Sequence, residues 1–170
     1  QQQCVGPLHT PLSDYGLFAQ SYFPSKDGTY KGCATSIGSQ PIVGLFDPIS
    51  LVHKTVAEML TNLVWVVIED FEHIKCSANW MWPIPNKDSK EGYKMYTATK
   101  ELSKLLQELG IAIDGGKDSL SMAVNHNKKV IKSPGTLVLS SYVDCPNIYQ
   151  KVTPDLKLDN SDLLYIDLSE

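Results

Sequence analysis

Residues 47–70 constrain the fold of this chain more than any other stretch. Asp47 can cap a helix, and Pro48 suits the first turn, where its missing N–H costs nothing. Apolar residues then recur at Leu51, Val52, Val56, Met59, Leu60, Leu63, Val64 and Val67. That is helical spacing, not alternation, and it predicts an amphipathic helix ending near residues 68–70. An apolar stripe of this length needs a core to face. The composition supplies one: 42% of the 170 residues are hydrophobic and 20% charged, enough for one domain plus a short extension.

The remaining elements are read around this helix. Tyr15–Phe23 and Lys31–Ile37 have strand composition, separated by the turn Ser25-Lys26-Asp27-Gly28. Ile42–Phe46 is short and apolar. Ile74–Trp82 predicts a buried strand running into the loop Pro83–Lys90. A second helix is expected over Glu91–Leu109, with Tyr93, Tyr96, Leu102, Leu105, Leu106 and Leu109 on one side and Gly110 just past its end. Ile111–Ile113 predicts a short strand ahead of a Gly-rich connection at 114–119. Leu120–Val124 and Lys129–Lys132 flank a polar turn as a hairpin would, and Thr136–Val143 reads as a strand. A linker is expected over 145–162, after a domain at 1–144. Leu163–Leu168 then reads as the first strand of a following, truncated domain at 163–170.

A formal net charge of -4 argues against a nucleic-acid partner, which calls for a basic patch. It leaves nucleotide binding open, since a few backbone amides, one Lys and a metal ion can hold phosphates. Cys4, Cys33, Cys76 and Cys145 fit no zinc spacing and form no C-x-x-C pair, which reads as reduced thiols in an intracellular protein. No apolar run approaches the roughly 20 residues needed to span a bilayer, so no membrane partner is expected. Gln1-Gln2-Gln3 has neither the basic start nor the apolar core of a signal peptide. A chain that opens in a motif without Met is expected to be a piece of a longer polypeptide.

Four stretches could carry chemistry. Glu58 and Asn62 lie four residues apart on one helix face, where a carboxylate and an amide oxygen can reach one hard cation such as Mg²⁺; a solvated surface pair has the same spacing. Asp14, closing Thr10-Pro11-Leu12-Ser13-Asp14, could add a ligand or could simply form a turn. In Asp114-Gly115-Gly116-Lys117-Asp118-Ser119, two glycines permit close backbone approach and Lys117 could meet a phosphate. The Walker spacing is absent, and a plain Gly-rich turn fits as well. Cys76-Ser77-Ala78-Asn79-Trp80-Met81-Trp82 reads as core packing around one polar group, with no base assignable to Cys76 or Ser77. His9, His53, His73 and His126 form no metal spacing, and only His9 is near a candidate site loop.

Together these strings resemble the large, single-chain formylglycinamidine ribonucleotide synthases of purine biosynthesis. The resemblance rests on Gln-Gln-Gln-Cys-Val-Gly-Pro-Leu at 1–8, Thr-Pro-Leu-Ser-Asp at 10–14, Ala-Glu-Met-Leu-Thr-Asn at 57–62, Lys-Cys-Ser-Ala-Asn-Trp-Met-Trp at 75–82, Asp-Gly-Gly-Lys-Asp-Ser-Leu-Ser-Met at 114–122 and Val-Thr-Pro-Asp-Leu-Lys at 152–157. It runs from about residue 1 to 168.

The resemblance implies the first domain of the second ATP-binding-like repeat of such an enzyme. It implies an α+β fold like the N-terminal domain of aminoimidazole ribonucleotide synthetase, a mostly antiparallel sheet with helices on one face, whose sheet pairs with a sister copy to make a barrel. It places Mg²⁺ on Asp14, Glu58 and Asn62, with Ser13 beside an ATP or ADP that is auxiliary and not consumed; Lys117, Asp118 and Ser119 are expected to bind the nucleotide on the reading of the Gly-rich stretch. A fourth metal ligand would lie beyond Glu170. The catalytic histidine and the glutaminase triad belong to other domains, so no catalytic residue is assigned here, and the piece is expected to be inactive alone. The parent would be a cytoplasmic glutamine-dependent C–N ligase, and a homodimer through a sheet edge is a further expectation. Ser13, His9 and Ala78 stand where Ala, Gln and Gly are commoner in the family; none replaces a charged ligand.

Two rivals remain: a purely structural domain without nucleotide, and a related synthetase that makes selenophosphate or phosphorylates thiamine phosphate. The strings Ser77–Met81 and Gly116–Ser119 count against the latter.

Overall fold

The structure, a computed structural model, describes residues 13–86, 90–157 and 160–167. The expectations placed on Cys4, His9, the Pro7–Leu12 loop and Leu168 lie outside the described residues. In chain order the elements are β1 (Tyr15–Ala19), β2 (Gly32–Ser39), the helical turn α1 (Pro41–Gly44), α2 (Pro48–Leu63), a 3₁₀ turn (Phe71–His73), β3 (Lys75–Met81), α3 (Glu91–Leu109), β4 (Ala112–Ser119), β5 (Ala123–His126), β6 (Lys129–Lys132) and β7 (Thr136–Cys145). Five strands form one sheet in the order β1-β2-β7-β3-β4, antiparallel except for the β3–β4 pair; β5 and β6 form a separate hairpin. The expected mostly antiparallel α+β fold is the one observed.

Alternation along the strands explains why one face is covered. Ala34 and Ser36 of β2, Cys76, Ala78 and Trp80 of β3, and Leu137, Leu139, Ser141 and Val143 of β7 are buried, while their neighbours face outward. Against that face α2 buries Leu51, Val52, Thr55, Val56, Met59 and Leu63, and α3 buries Ala98, Leu102 and Leu106. Each large apolar side chain so buried contributes about 1.5–3 kcal/mol. α2 can lie this close because Gly38 has no side chain: a Cβ there would overlap the Thr55 carbonyl. Inside the interface Ser36 Oγ donates to the Met59 carbonyl at 2.7 Å and shares a 2.6 Å hydrogen bond with Ser141 Oγ, which satisfies both buried hydroxyls.

Four elements depart from the sequence reading. α2 starts where expected, with Asp47 accepting from the Ile49 and Ser50 amides, but it stops at Leu63, short of residues 68–70. The next residues leave the helix to pair with a later segment: Val66 bridges Lys151, Val67 N–H donates to Gln150 O, and Val152 N–H donates to Trp65 O. Tertiary backbone pairing outcompetes the periodicity, and Val64 and Val67 end up exposed. β1 likewise stops at Ala19. Residues 114–119, read as a turn, belong to strand β4. Residues 160–167, including Leu163–Asp167, carry no regular structure, since no described strand lies beside them to complete a ladder.

β4 also shows what its glycines do. The β3–β4 register slips between Cys76 and Ser77, so that Ile113 pairs with Cys76 and Gly115 with Ser77, leaving Asp114 as the extra residue of a bulge. Tyr142 of β7 donates its hydroxyl to Asp114, and that carboxylate pushes the phenol up to about 12. Gly116 then adopts φ 143°, and a Cβ there would overlap the Ala78 carbonyl. Gly116 therefore serves close strand contact.

Candidate nucleotide and metal site

Two of the sequence-predicted residues meet where β2 ends, and a third, Asp14, lies at the start of the strand beside it. Glu58 and Asn62 are one turn apart on α2, beside the core positions Met59 and Leu63. Glu58 Oε2 accepts the Ser39 backbone N–H at 2.6 Å and Gln40 Nε2 at 3.1 Å. Asn62 Nδ2 donates to the Ile37 carbonyl at 2.9 Å. With its nitrogen committed to a carbonyl, the amide presents Oδ1 on its other side as an oxygen ligand. Tyr15 pairs with Ser36 in the β1–β2 ladder, so Asp14, one residue outside that pair, falls next to Ile37. Ser13 is adjacent, its hydroxyl accepting the Tyr15 N–H at 3.4 Å.

The donor set suits a hard cation with open positions. Asp14 is exposed, Glu58 and Asn62 are half-buried, and among the described residues neither carboxylate is in an ion pair. Among those residues no group of three or more His, Cys, Asp or Glu could hold a metal. Two carboxylates and one amide oxygen cannot cage an ion, but they match the way Mg²⁺ is held: by one or two carboxylates, with waters and phosphate oxygens filling the octahedron.

Lys117, Asp118 and Ser119 are elsewhere. They lie on β4, at the opposite end of the sheet order from β1, four inter-strand steps of about 4.8 Å away. Lys117 Nζ donates to Ser119 Oγ at 2.9 Å. Lys117 and Asp118 border an open groove of about 840 Å³ between α3 and β3–β4, whose walls include Trp80, Leu102 and Leu106. The structure thus ties Glu58 and Asn62 to the end of β2, sets Ser13 and Asp14 at the start of the neighbouring β1, and leaves the Lys117 group apart.

Sequence reasoning missed the residues that position the corner. Ser39 and Gln40 fix Glu58, yet nothing local marks them. It also missed the segment 150–157, read as linker. That segment is strapped over the start of β1: Tyr15, itself buried, donates its hydroxyl to Val152 O at 2.6 Å, and burial raises its phenol. Between strap and corner lies a second pocket of about 400 Å³, lined by Ser13, Asp14, Trp65, Val152, Leu156 and Lys157 among others. The described thiols form no site. Cys76 is pushed up to about 11 by burial and, secondarily, by Asp114. No described helix is long and apolar enough to cross a membrane.

Comparison with known proteins places this geometry in a family. The family model described as FGAR-AT PurM_N-like domain matches residues 1–144. The chain is 55% identical over 157 residues to phosphoribosylformylglycinamidine synthase of Drosophila melanogaster, covering 92% of this chain and 11% of that protein. It is 44% identical over 171 residues to the Homo sapiens protein of the same name, covering 99% of this chain and 12% of that protein. The chain therefore spans only about a tenth of the length of these relatives. Among solved structures, Thermotoga maritima PurL complexed with ADP superposes with a TM-score of 0.61 at 18% identity, covering 83% of this chain and 21% of that one. PurLQS from the same organism gives 0.57 at 20% identity, covering 78% and 20%. These two likenesses show the fold, and the family model, matched over most of the length, shows that the chain belongs to the FGAR-AT PurM_N-like domain family.

Proposed function

We propose that this chain is the part of a phosphoribosylformylglycinamidine synthase that supplies half of a Mg²⁺–nucleotide site, at the corner formed by Asp14, Glu58 and Asn62. One observation carries the proposal: two ligand-bearing residues of α2 are each hydrogen-bonded to the end of β2, at the point where the β1–β2 register delivers Asp14. The name its relatives carry supports it, as does the ADP with which the Thermotoga maritima PurL is complexed. Mg²⁺, when bound, would neutralise phosphate charge. The chain's own contribution is to hold two carboxylates and one amide oxygen at fixed spacing beside Ser13. The nucleotide would be ADP or ATP in an auxiliary role, and the fourth metal ligand would come from another part of the parent chain.

The parent reaction on this reading is phosphorylation of a formyl amide oxygen by ATP. Ammonia from glutamine, released in a glutaminase domain elsewhere in the chain, then displaces the phosphate to give the amidine. Because no catalytic residue is assigned here, the isolated piece would not turn over. Lys117, Asp118 and Ser119, remote from the corner on an edge strand, would meet a nucleotide only if another part of the parent presents it. Edges β1 and β4, each paired on one side, would take a sister sheet, or a second copy in the isolated piece. A cytoplasmic location belongs to the same proposal; one relative, from Arabidopsis thaliana, is named as chloroplastic/mitochondrial.

Equilibrium binding of ADP to the full-length parent, with and without Mg²⁺, tests the site. The expected result is one Mg²⁺-dependent class of ADP binding that Glu58→Ala removes. Binding unaffected by that substitution would instead favour a purely structural domain.

A further inference from the structure

We infer that Asp114 and Tyr142 are positioning residues for the Lys117–Ser119 stretch: the bulge at Asp114, pinned by the Tyr142 hydroxyl, decides which face of the sheet Lys117 and Ser119 present to a phosphate-bearing ligand. This rests on the proposal that the stretch meets a ligand brought by another part of the parent chain.

Side chains alternate between the two faces of a strand, and residues paired across neighbouring strands share a face. On β3 the buried Cys76, Ala78 and Trp80 point at the helices, so Ser77, Asn79 and Met81 point to the uncovered face. Past the bulge Lys117 pairs with Asn79, Asp118 with Trp80 and Ser119 with Met81. Lys117 and Ser119 therefore share the uncovered face, where the ammonium donates to the hydroxyl at 2.9 Å, and Asp118 turns towards the α3 groove. Continuing the pairing of Ile113 with Cys76 without an extra residue would set Lys117 opposite Trp80 and Asp118 opposite Met81. A carboxylate would then replace the ammonium on the uncovered face. One inserted residue thus sets the sign of the charge there, and an ammonium beside a hydroxyl is a donor pair for phosphate oxygens.

The bulge is held by a contact that crosses a strand. Tyr142 is on β7 and Asp114 on β4, with β3 between them, and the Tyr142 hydroxyl reaches over β3 to the Asp114 carboxylate. Tyr142 pairs with Lys75, just before the slip between Cys76 and Ser77, so the clamp closes at the bulge itself. β4 needs such a clamp. It is an edge strand, paired with β3 alone, and Gly-rich strands specify their register weakly. Bulges re-aim side chains in this way beside functional sites.

The test is steady-state kinetics of the full-length parent with ATP, formylglycinamide ribonucleotide and glutamine each varied in turn. Lys117→Ala is expected to raise the KM of ATP or of formylglycinamide ribonucleotide by about tenfold, the size of one lost charge-assisted contact, and to leave that of glutamine, which carries no phosphate, unchanged. Which of the two rises tells a nucleotide from a phosphorylated substrate. Tyr142→Phe keeps the ring and loses the hydroxyl. It is expected to raise the same KM about fivefold with kcat unchanged, and Asp114→Ala to do likewise. Asp114→Asn, which keeps an oxygen for the hydroxyl, is expected to restore most of the parent value. Tyr142→Phe added to Lys117→Ala should raise that KM no further. Every KM unchanged in Lys117→Ala would overturn the ligand contact, and the positioning role with it. A KM raised by Lys117→Ala but untouched by Tyr142→Phe and Asp114→Ala, or additive effects in the double variant, would overturn the positioning role while leaving the contact standing.

Discussion

Glu58 Oε2 accepts the backbone N–H of Ser39 at 2.6 Å, joining the third turn of α2 to the last residue of β2. The same carboxylate that would serve a metal is thus already structural. Glu58→Ala should cost about 1–3 kcal/mol, because it strands a half-buried amide that had a charged acceptor. Glu58→Gln keeps an oxygen for Ser39 while removing the charge. It should unfold within about 1 kcal/mol of the parent sequence in urea yet fail to bind Mg²⁺-nucleotide. Two variants with equal stability loss would contradict this division of labour.

The hydroxyl pair in the core makes a second expectation. Ser36 donates to Met59 O, so Ser141 must donate to Ser36. Ser36→Ala leaves the Ser141 hydroxyl without its acceptor and should cost about 1–3 kcal/mol. Adding Ser141→Ala removes that stranded group, so the double variant should be destabilised by less than the sum of the singles. A double-mutant cycle by chemical denaturation measures the difference, and strict additivity would refute the coupling.

Gly116 is the third. At φ 143°, with the Ala78 carbonyl where a Cβ would go, alanine can be accommodated only if β4 moves off β3. Gly116→Ala should destabilise the domain more than Gly115→Ala, whose Cβ would meet only Ser77 Oγ at 3.9 Å. Amide exchange should show the β4 ladder opening first; similar thermal midpoints for the two variants would argue against it.

Alkaline pH reports on Tyr142. Its phenol is raised to about 12, first by the Asp114 carboxylate and then by desolvation. A tyrosine with a raised folded value binds its proton more tightly when folded. Its stabilising contribution is therefore complete below the ordinary value of 10.0 and is lost as pH climbs towards about 12. Ultraviolet titration should show Tyr142 ionising above the ordinary value of 10.0, and Asp114→Asn should bring it back down. A Tyr142 whose ionisation is unmoved by Asp114→Asn would remove the Asp114 contact from the account.

How much of this the sequence discloses depends on whether the cause is local. α3 is legible from end to end, because its apolar spacing and the left-handed Gly110 that closes it are properties of one segment. The start of α2 is legible for the same reason: Asp47 carries its own cap. Its end is not, because Val64 and Val67 fit a helix and only pairing with residues 150–152 draws the chain away. Gly115-Gly116 fits a turn because local rules credit glycine with turning, whereas here Gly116 admits a neighbouring strand. The site divides the same way. Glu58 and Asn62 share a helix face by spacing alone, but Asp14 is carried to the strand beside them only through the Tyr15–Ser36 register, and Trp65 and Leu156 line one pocket only through the strap.

The strand order has a consequence for how the domain assembles. β1–β2 is a local antiparallel pair, and β3-α3-β4 is a local parallel unit. Within the sheet β7 alone joins them, and it comes last among the described strands. A ribosome making this chain from its N-terminus would release two half-sheets with open edges and would hold the lock, Ser141 against Ser36, until 105 residues later. Closing so long a loop is slow compared with forming either half, so folding should wait on β7. Chains halted before Thr136 should collect with the sheet split into two halves, and release of the 10 residues of β7 should close it.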